Sequence, residues 1–227
     1  ASAGVTNTPS QVEVARRVVI PGNVRYPSIS PDGDRLLFQQ VINGTNQVCL
    51  KDLPTGSVSR LTDGSHHYTH PVFYWEKDAV LCVKEDGSAG QLVLVSALGT
   101  GDAVPVVLPD GMKAGIPYCD VERKRILFEG WKEAHGTGGV PDLFTYSTSD
   151  GSVKQITDTP FEEWRPVGAR DGSIYFICNR NGNFDIFKKG ASSNSVPEVV
   201  YGSTADEWDP AISPDGKYVV YTWNSFS

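Results

Sequence analysis

The side chains of this 227-residue chain that could bind a metal include four histidines, which stand in two places. His66, His67 and His70 lie within five residues of one another, and His135 lies in a glycine-rich stretch. Imidazole groups together with a carboxylate such as Glu163 suit zinc, manganese and similar ions. Because the spacing matches no known metal motif, exposed and solvated histidines are the alternative interpretation.

Two carboxylates could complete such a metal site or take part in acid–base catalysis. Glu163 paired with Asp209 or His70 would supply a general base, although no fixed spacing identifies the pair. The chain has no Gly-x-Ser-x-Gly nucleophile motif, and the stretch 136–139 lacks the Lys-Ser/Thr of a phosphate-binding loop. We therefore expect no cofactor, with a divalent metal as the alternative.

Aromatic and charged residues near the histidines could instead bind a ligand. Tryptophan and tyrosine rings offer flat faces to sugars and apolar groups, while acids and arginines can bind hydroxyl groups. For Trp164 and Trp208, packing between structural units is the competing interpretation. The candidate binding residues are Arg25, Tyr26, Tyr68, Trp131, Glu163, Trp164, Arg165, Glu207, Trp208 and Asp209.

Charge and composition exclude two classes of partner. Lys+Arg 20 against Asp+Glu 27 gives a net charge of −7, whereas a surface that binds nucleic acid is normally basic. No apolar run approaches the roughly 18–20 residues that a membrane-spanning helix needs. With 39% apolar residues, 23 glycines and 15 prolines, the chain is typical of a turn-rich, all-β protein. We expect a monomer that binds a protein or a glycan.

The four cysteines, Cys49, Cys82, Cys119 and Cys178, are far apart and include no C-x-x-C pair. Apolar neighbours flank most of them, which favours buried free thiols, while two disulfides are the alternative. The chain starts at Ala1 without a methionine, as expected after removal of a leader or for a piece of a longer protein. We expect a periplasmic or secreted protein, and a cytoplasmic location stays open.

A repeat of about 45 residues organises the chain. The sequence Ser30-Pro31-Asp32-Gly33 recurs as Ser213-Pro214-Asp215-Gly216, and a proline stands three or four residues before each of these turns. Equivalent prolines occur at intervals of 44, 46, 49 and 44 residues, namely Pro27, Pro71, Pro117, Pro166 and Pro210. Proline, aspartate and glycine have the conformations and hydrogen bonds that a tight turn needs, so we interpret this motif as structural.

Each repeat contains short runs rich in Val, Ile, Tyr and Phe, separated by turn-forming residues. Runs of this length and composition are typical of β-strands, and no segment keeps apolar residues at helical spacing. About four strands in every 40–50 residues predict a β-propeller, with almost no helix.

The repeats predict one domain, 1–227, with five four-stranded blades. The expected blades are 26–67, 68–112, 113–161 and 162–206, and a fifth built from 207–227 plus 1–25. In the fifth blade, strands at Gln11–Val14 and Arg17–Ile20 would complete the sheet from the N-terminal side. A piece of a larger propeller is the alternative.

The turn Ser-Pro-Asp-Gly at 30–33 and 213–216 resembles the repeats of TolB-type propellers. The stretch Asn179-Arg180-Asn181-Gly182-Asn183-Phe184-Asp185-Ile186 is similar to the hairpin between the second and third strands of that family. The resemblance implies a propeller fold over residues 22–227 but does not identify the function. Relatives include periplasmic protein-binding propellers, propellers attached to serine peptidases, and some polysaccharide lyases.

In a propeller, the connections between blades and the loops between second and third strands share one face. All four histidines and three of the five tryptophans are expected on that face. The first hypothesis is a non-catalytic propeller that binds a protein or a glycan at this channel mouth. The alternatives are a carbohydrate-active lyase or hydrolase with a metal or acid–base site there, and a propeller fragment of a peptidase-type protein.

Overall fold

The computed structural model describes residues 17–76, 78–86, 89–109, 111–131 and 139–224. Within these ranges the secondary structure consists of β-strands and turns, with no helix, so none of the described segments could cross a membrane as a helix. The strands are at most eight residues long because glycine, proline and polar turns interrupt each apolar run. The all-β prediction is confirmed.

Four antiparallel sheets of four strands each form blades one to four, and the strands follow chain order within every sheet. Blade one contains β1 (Val24–Ile29), β2 (Arg35–Ile42), β3 (Thr45–Asp52) and β4 (Val58–Arg60). Blade two contains β5 (His67–Phe73), β6 (Ala79–Asp86), β7 (Ala89–Ser96) and β8 (Val104–Pro105). Blade three contains β9 (Lys113–Asp120), β10 (Arg125–Trp131), β11 (Asp142–Ser147) and β12 (Val153–Gln155). Blade four contains β13 (Glu163–Gly168), β14 (Ile174–Cys178), β15 (Asp185–Lys189) and β16 (Glu198–Tyr201).

The fifth sheet has two strands in the described part of the chain, β17 (Asp206–Ile212) and β18 (Val219–Asn224). Its expected outer strands are not seen. Residues 17–20 form no strand, and Val19 is 64% exposed, which departs from the prediction for Arg17–Ile20. Gln11–Val14 lies outside the described residues. A strand needs a hydrogen-bonded neighbour, and here that neighbour would come from the distant end of the chain.

Thin apolar cores between neighbouring blades hold the propeller together. Blades one and two share a cluster that includes Leu37, Val48, Val80 and Val93. Blades two and three meet around Phe128, blades three and four around Phe176, and blades four and five around Ile177. Successive side chains of a strand point to opposite faces, so each four-stranded blade contributes to the core on both sides.

The Ser-Pro-Asp-Gly turn has the structural role predicted for it. In the first copy the N–H of Asp34 donates to Asp32 Oδ1 at 3.1 Å, and Gly33 has a φ of 78°. The hydroxyl of Ser30 donates to Asp32, while Ser30 Oγ accepts the N–H of Arg35 at 2.9 Å. The second copy repeats these bonds at 213–218. The motif therefore closes a hairpin at the end of the blade opposite the inter-blade connections.

All four cysteines are free and buried, as favoured from the sequence. Burial raises the pKa of the Cys82 and Cys119 thiols to about 12. The thiolate is the reactive form of cysteine, so these side chains act as small apolar core residues.

Candidate functional site

An irregularity in every innermost strand positions the candidate site. In β1, β5, β9, β13 and β17 one extra residue interrupts the ladder with the next strand, at 25–28, 69–72, 114–117, 164–167 and 208–211. Each of these segments contains the repeated proline or leads into it. A bulge of this kind bends a strand and changes the direction of a side chain.

Four residues directly before these prolines have left-handed backbone conformations. The φ angles are 51° for Tyr26, 51° for His70, 57° for Arg165 and 52° for Asp209. This conformation costs an ordinary residue about 1–2 kcal/mol, because Cβ approaches its own carbonyl oxygen. Strained residues of this kind concentrate at functional sites, where the surrounding structure holds them in place.

The four strained residues contact one another, although they come from blades one, two, four and five. The ring centroids of Tyr26 and His70 are 3.9 Å apart. Arg165 Cζ lies 5.8 Å from the Tyr26 ring centroid, and Arg165 Nη1 lies 2.6 Å from Asp209 Oδ1. Since these residues are on innermost strands, which surround the axis of a propeller, they meet across the channel. We call Tyr26, His70, Arg165 and Asp209 the channel quartet.

His70 is uncharged at neutral pH and has unused hydrogen-bonding capacity. Burial and the nearby Arg165 guanidinium lower the pKa of His70 to about 4. Its Nε2 atom is buried and has no hydrogen-bond partner among the described residues. A neutral imidazole can donate from one nitrogen and accept at the other. An incoming polar group could therefore satisfy Nε2.

Blade three supports the quartet through Glu129 of β10. Its Oε1 atom accepts the backbone N–H of Arg165 at 2.9 Å, and the side chain is 1% exposed. Burial raises the pKa of Glu129 to about 7. The glycine at position 115 leaves room for the Glu129 side chain to reach the N–H of Arg165, since a Cβ at Gly115 would lie only 2.6 Å from Glu129 Oε2. Glu129 was not among the residues predicted from the sequence, where its position as an acid directly after the apolar run 126–128 was the available signal.

A pair of tryptophans lies next to this carboxylate. Trp131 and Trp164 meet edge to face, with centroids 5.6 Å apart, and both are partly buried. Trp164 Nε1 donates to Glu162 Oε2 at 3.1 Å, which fixes the indole ring. Trp208 instead packs on Phe184 at 4.7 Å, between blades four and five, as the structural interpretation expected. Trp164 contributes to that same core.

Three predicted binding residues lie inside the protein, which corrects their expected position on the loop face. Tyr68, Glu163 and Glu207 are 2%, 0% and 1% exposed, because the first residues of the inner strands pack against neighbouring blades. Glu163 Oε1 lies 3.7 Å from Arg180 Nη2, and burial raises the pKa of Glu163. Glu207 accepts the hydroxyl of Ser203.

The remaining candidates lie near the quartet in sequence but do not join it. Arg25 is exposed beside Tyr26. His66 Nδ1 lies 2.6 Å from Ser65 Oγ, and His67 Nδ1 accepts the N–H of Asn46 at 3.2 Å.

The predicted metal site gains no support from the described part of the chain. Within those ranges no group of three or more His, Cys, Asp or Glu side chains could hold a metal ion. His135 lies outside the described residues, so its assignment as a ligand stays a prediction.

Solved structures place this architecture among known folds. No protein-family model and no curated protein sequence matches the chain. The structure is similar to putative TolB from Agrobacterium tumefaciens, with a TM-score of 0.74 and 18% identity over 92% of this chain and 73% of that one. The chain has a β-propeller fold. The likeness to TolB-type propellers expected from the turn motif is confirmed at the level of the fold.

Two further similarities involve proteins of other kinds. An oligogalacturonate lyase in complex with manganese has a TM-score of 0.67 and 17% identity, covering 88% of this chain and 58% of that one. The β-propeller domain of the Trilobed protease from Pyrococcus furiosus, described as having an open velcro topology, has a TM-score of 0.57 and 14% identity over 90% of this chain and 76% of that one. A fold shared by proteins this different does not determine the activity.

Proposed function

We propose that this chain is a non-catalytic binding propeller that recognises a protein or a glycan at the channel quartet. The convergence of Tyr26, His70, Arg165 and Asp209 carries the proposal. In four blades the residue directly before the repeated proline has an unfavourable left-handed backbone conformation. The side chains of these four residues contact one another. The proposal includes the periplasmic or secreted location expected from the sequence.

The chemistry of the quartet supports recognition of a polar ligand. His70 Nε2 offers one unsatisfied hydrogen bond, and the side chain of Asp209 is half exposed while it holds Arg165. Because Arg165 and Asp209 orient each other, a ligand would meet groups that are already in place. The rings of Trp164, which directly precedes Arg165, and of Trp131, which contacts Trp164, add aromatic surface beside the quartet.

The surroundings of Glu129 favour binding over acid–base catalysis at this site. A carboxyl group with a pKa of about 7 has the proton affinity of a general acid or base. However, Glu129 is 1% exposed and already accepts the N–H of Arg165. Its role in the proposal is to hold β13, and therefore Arg165, in position.

Glycan and peptide arrays test the proposal with Arg165→Ala as the main variant. Wild-type protein should bind a defined group of ligands, and Arg165→Ala should weaken the best of them by about tenfold or more, because a charged hydrogen bond is lost. Titration of each hit by calorimetry measures the change. Trp131→Ala should weaken binding of the same ligands.

Arg170→Ala is the matched control. Arg170 is in the same blade but in the turn between β13 and β14, where it is 75% exposed and pairs with Glu122. This variant should bind as the wild type does. Wild-type affinity in Arg165→Ala, or an equal loss in Arg170→Ala, would contradict a binding site in the channel, as would the absence of any wild-type hit.

A further inference from the structure

Two tyrosines from different sheets have their rings in contact where blade four meets the fifth sheet. Tyr201 is on β16, the outermost strand of blade four, and Tyr221 is on β18 of the fifth sheet. Their ring centroids are 4.9 Å apart, and the ring planes are tilted by 35°. The ring contacts of three other tyrosines, Tyr26, Tyr68 and Tyr74, are with histidine or tryptophan instead.

Regular strands hold both rings in place. Tyr201 is opposite Ile186 in the ladder between β15 and β16. On either side of Tyr221, Val220 and Thr222 pair with β17. Ile186 and Tyr221 both take part in the core between blades four and five, so the contact between the two rings is part of the packing of the two sheets.

The hydroxyl groups of the two tyrosines also lie together. A side-chain hydrogen bond to Tyr201 is the main reason that the pKa of Tyr221 rises to about 12, and desolvation and the charge of Glu207 add to it. Tyr221 is therefore a neutral phenol that donates to its neighbour at physiological pH. Each hydroxyl is bonded to the ring carbon next to the ortho carbons, so this arrangement brings an ortho carbon of one ring near an ortho carbon of the other.

Reagents in solution can reach this pair. Tyr201 is 44% exposed and Tyr221 is partly exposed, whereas Tyr68 and Tyr175 are 2% and 8% exposed. The four cysteines are buried, so their thiols are shielded from an oxidant in solution.

We propose that Tyr201 and Tyr221 are a modification site, where a one-electron oxidant such as a haem peroxidase with hydrogen peroxide forms a dityrosine cross-link within one chain. Each hydroxyl gives up one electron and one proton, and the two phenoxyl radicals join through a carbon–carbon bond between their ortho carbons. The hydrogens on those carbons then move to the oxygens, which restores both phenols. The two electrons and two protons reduce one molecule of hydrogen peroxide to two molecules of water.

The cross-link fastens the fifth sheet to blade four. In the described part of the chain β18 pairs with β17 alone, and β17 packs against β13, β14 and β15 of blade four. A covalent bond between β16 and β18 adds a direct link to the outermost strand. It also closes a loop of about 20 residues, which restricts the chain when the fifth sheet opens.

Treatment of the purified protein with a haem peroxidase and hydrogen peroxide tests the proposal. At low protein concentration the wild type should gain dityrosine fluorescence without forming dimers, and mass spectrometry should find the peptides of Tyr201 and Tyr221 joined with the loss of two hydrogen atoms. Tyr201→Phe and Tyr221→Phe should each abolish this cross-link, because phenylalanine has no hydroxyl hydrogen to lose. Circular dichroism checks that both variants fold.

Tyr218→Phe is the matched control. Tyr218 is 68% exposed and stands just before β18, where alternation along the strand places it on the face opposite Tyr221. This variant should form the cross-link as the wild type does. Absence of the cross-link from the wild type, cross-links only between two chains, or a wild-type yield in either of the other two variants would overturn the proposal.

Hydrogen exchange provides a second measurement. Exchange of residues 219–224 should be about tenfold slower or more in the cross-linked protein than in untreated protein, because opening of this sheet now has to break its link to β16 or carry β16 with it. Peroxidase-treated Tyr221→Phe should exchange as untreated protein does. Unchanged exchange in cross-linked protein would contradict the fastening of the fifth sheet.

Discussion

Glutamine in place of Glu129 is expected to flatten the pH dependence of stability between about pH 4.5 and pH 7. The Glu129 carboxyl has a pKa of 4.5 in the unfolded chain and about 7 in the folded protein, so between these values the folded state retains a proton that the unfolded state has released. Wild-type stability should therefore fall as pH rises, by about 1.4 kcal/mol per pH unit and about 3 kcal/mol in all. Glutamine stays neutral, and its side-chain oxygen can still accept the N–H of Arg165.

Urea unfolding at several pH values measures this difference in slope. Glu122→Gln is the control, because Glu122 is 58% exposed and pairs with Arg170 in a surface turn. That variant should keep the wild-type pH dependence. Parallel curves for wild type and Glu129→Gln would mean that the buried carboxyl does not hold its proton in this pH range.

Alanine in place of Phe176 is expected to remove much of the stability of the propeller. Phe176 is 0% exposed, stacks with Phe187 at 6.0 Å and lies in the core between blades three and four. Truncating a buried phenylalanine typically costs about 3–5 kcal/mol, because apolar contacts are lost and a cavity remains. A domain usually has about 5–15 kcal/mol of stability in total. The urea midpoint should therefore fall markedly, which circular dichroism measures.

Phe161→Ala provides the comparison for Phe176→Ala. Phe161 is 37% exposed and lies just before blade four, so its removal should change stability by less than about 1 kcal/mol. If the two variants lost similar amounts of unfolding free energy, this would contradict the view that the apolar cores between blades provide most of the stability.

The sequence was sufficient to predict blades one to four because their signals are local. Proline restricts φ, and glycine after aspartate permits a tight turn, so the turn at 30–33 in blade one and its copy at 213–216 in the fifth sheet could be recognised from a few residues. Blade one was expected from residue 26 and begins at Val24, a difference of two residues. The expected outer strand at Arg17–Ile20 had no comparable local signal, since its formation depends on pairing with another segment.

Only part of the candidate site could be predicted, because residues that are close together in the sequence point to different places in the folded strand. Glu163 and Arg165 stood together in the prediction, yet Glu163 is buried between blades and Arg165 belongs to the channel quartet. The bulge before the repeated proline changes the alternation of side chains, which simple period-two counting does not reveal. His70, a predicted metal ligand, contacts Tyr26 of the neighbouring blade, and this contact could not be predicted from the sequence.

The central claim, that a ligand binds at the channel quartet, is tested most directly by observing the imidazole of His70. The chain has four histidines, so their side-chain NMR signals can be assigned by single substitutions. On addition of the strongest array ligand, the His70 signal should shift and saturate together with binding, since its Nε2 gains a partner. An unchanged His70 signal at saturating ligand, with His66 or His67 shifting instead, would contradict the claim.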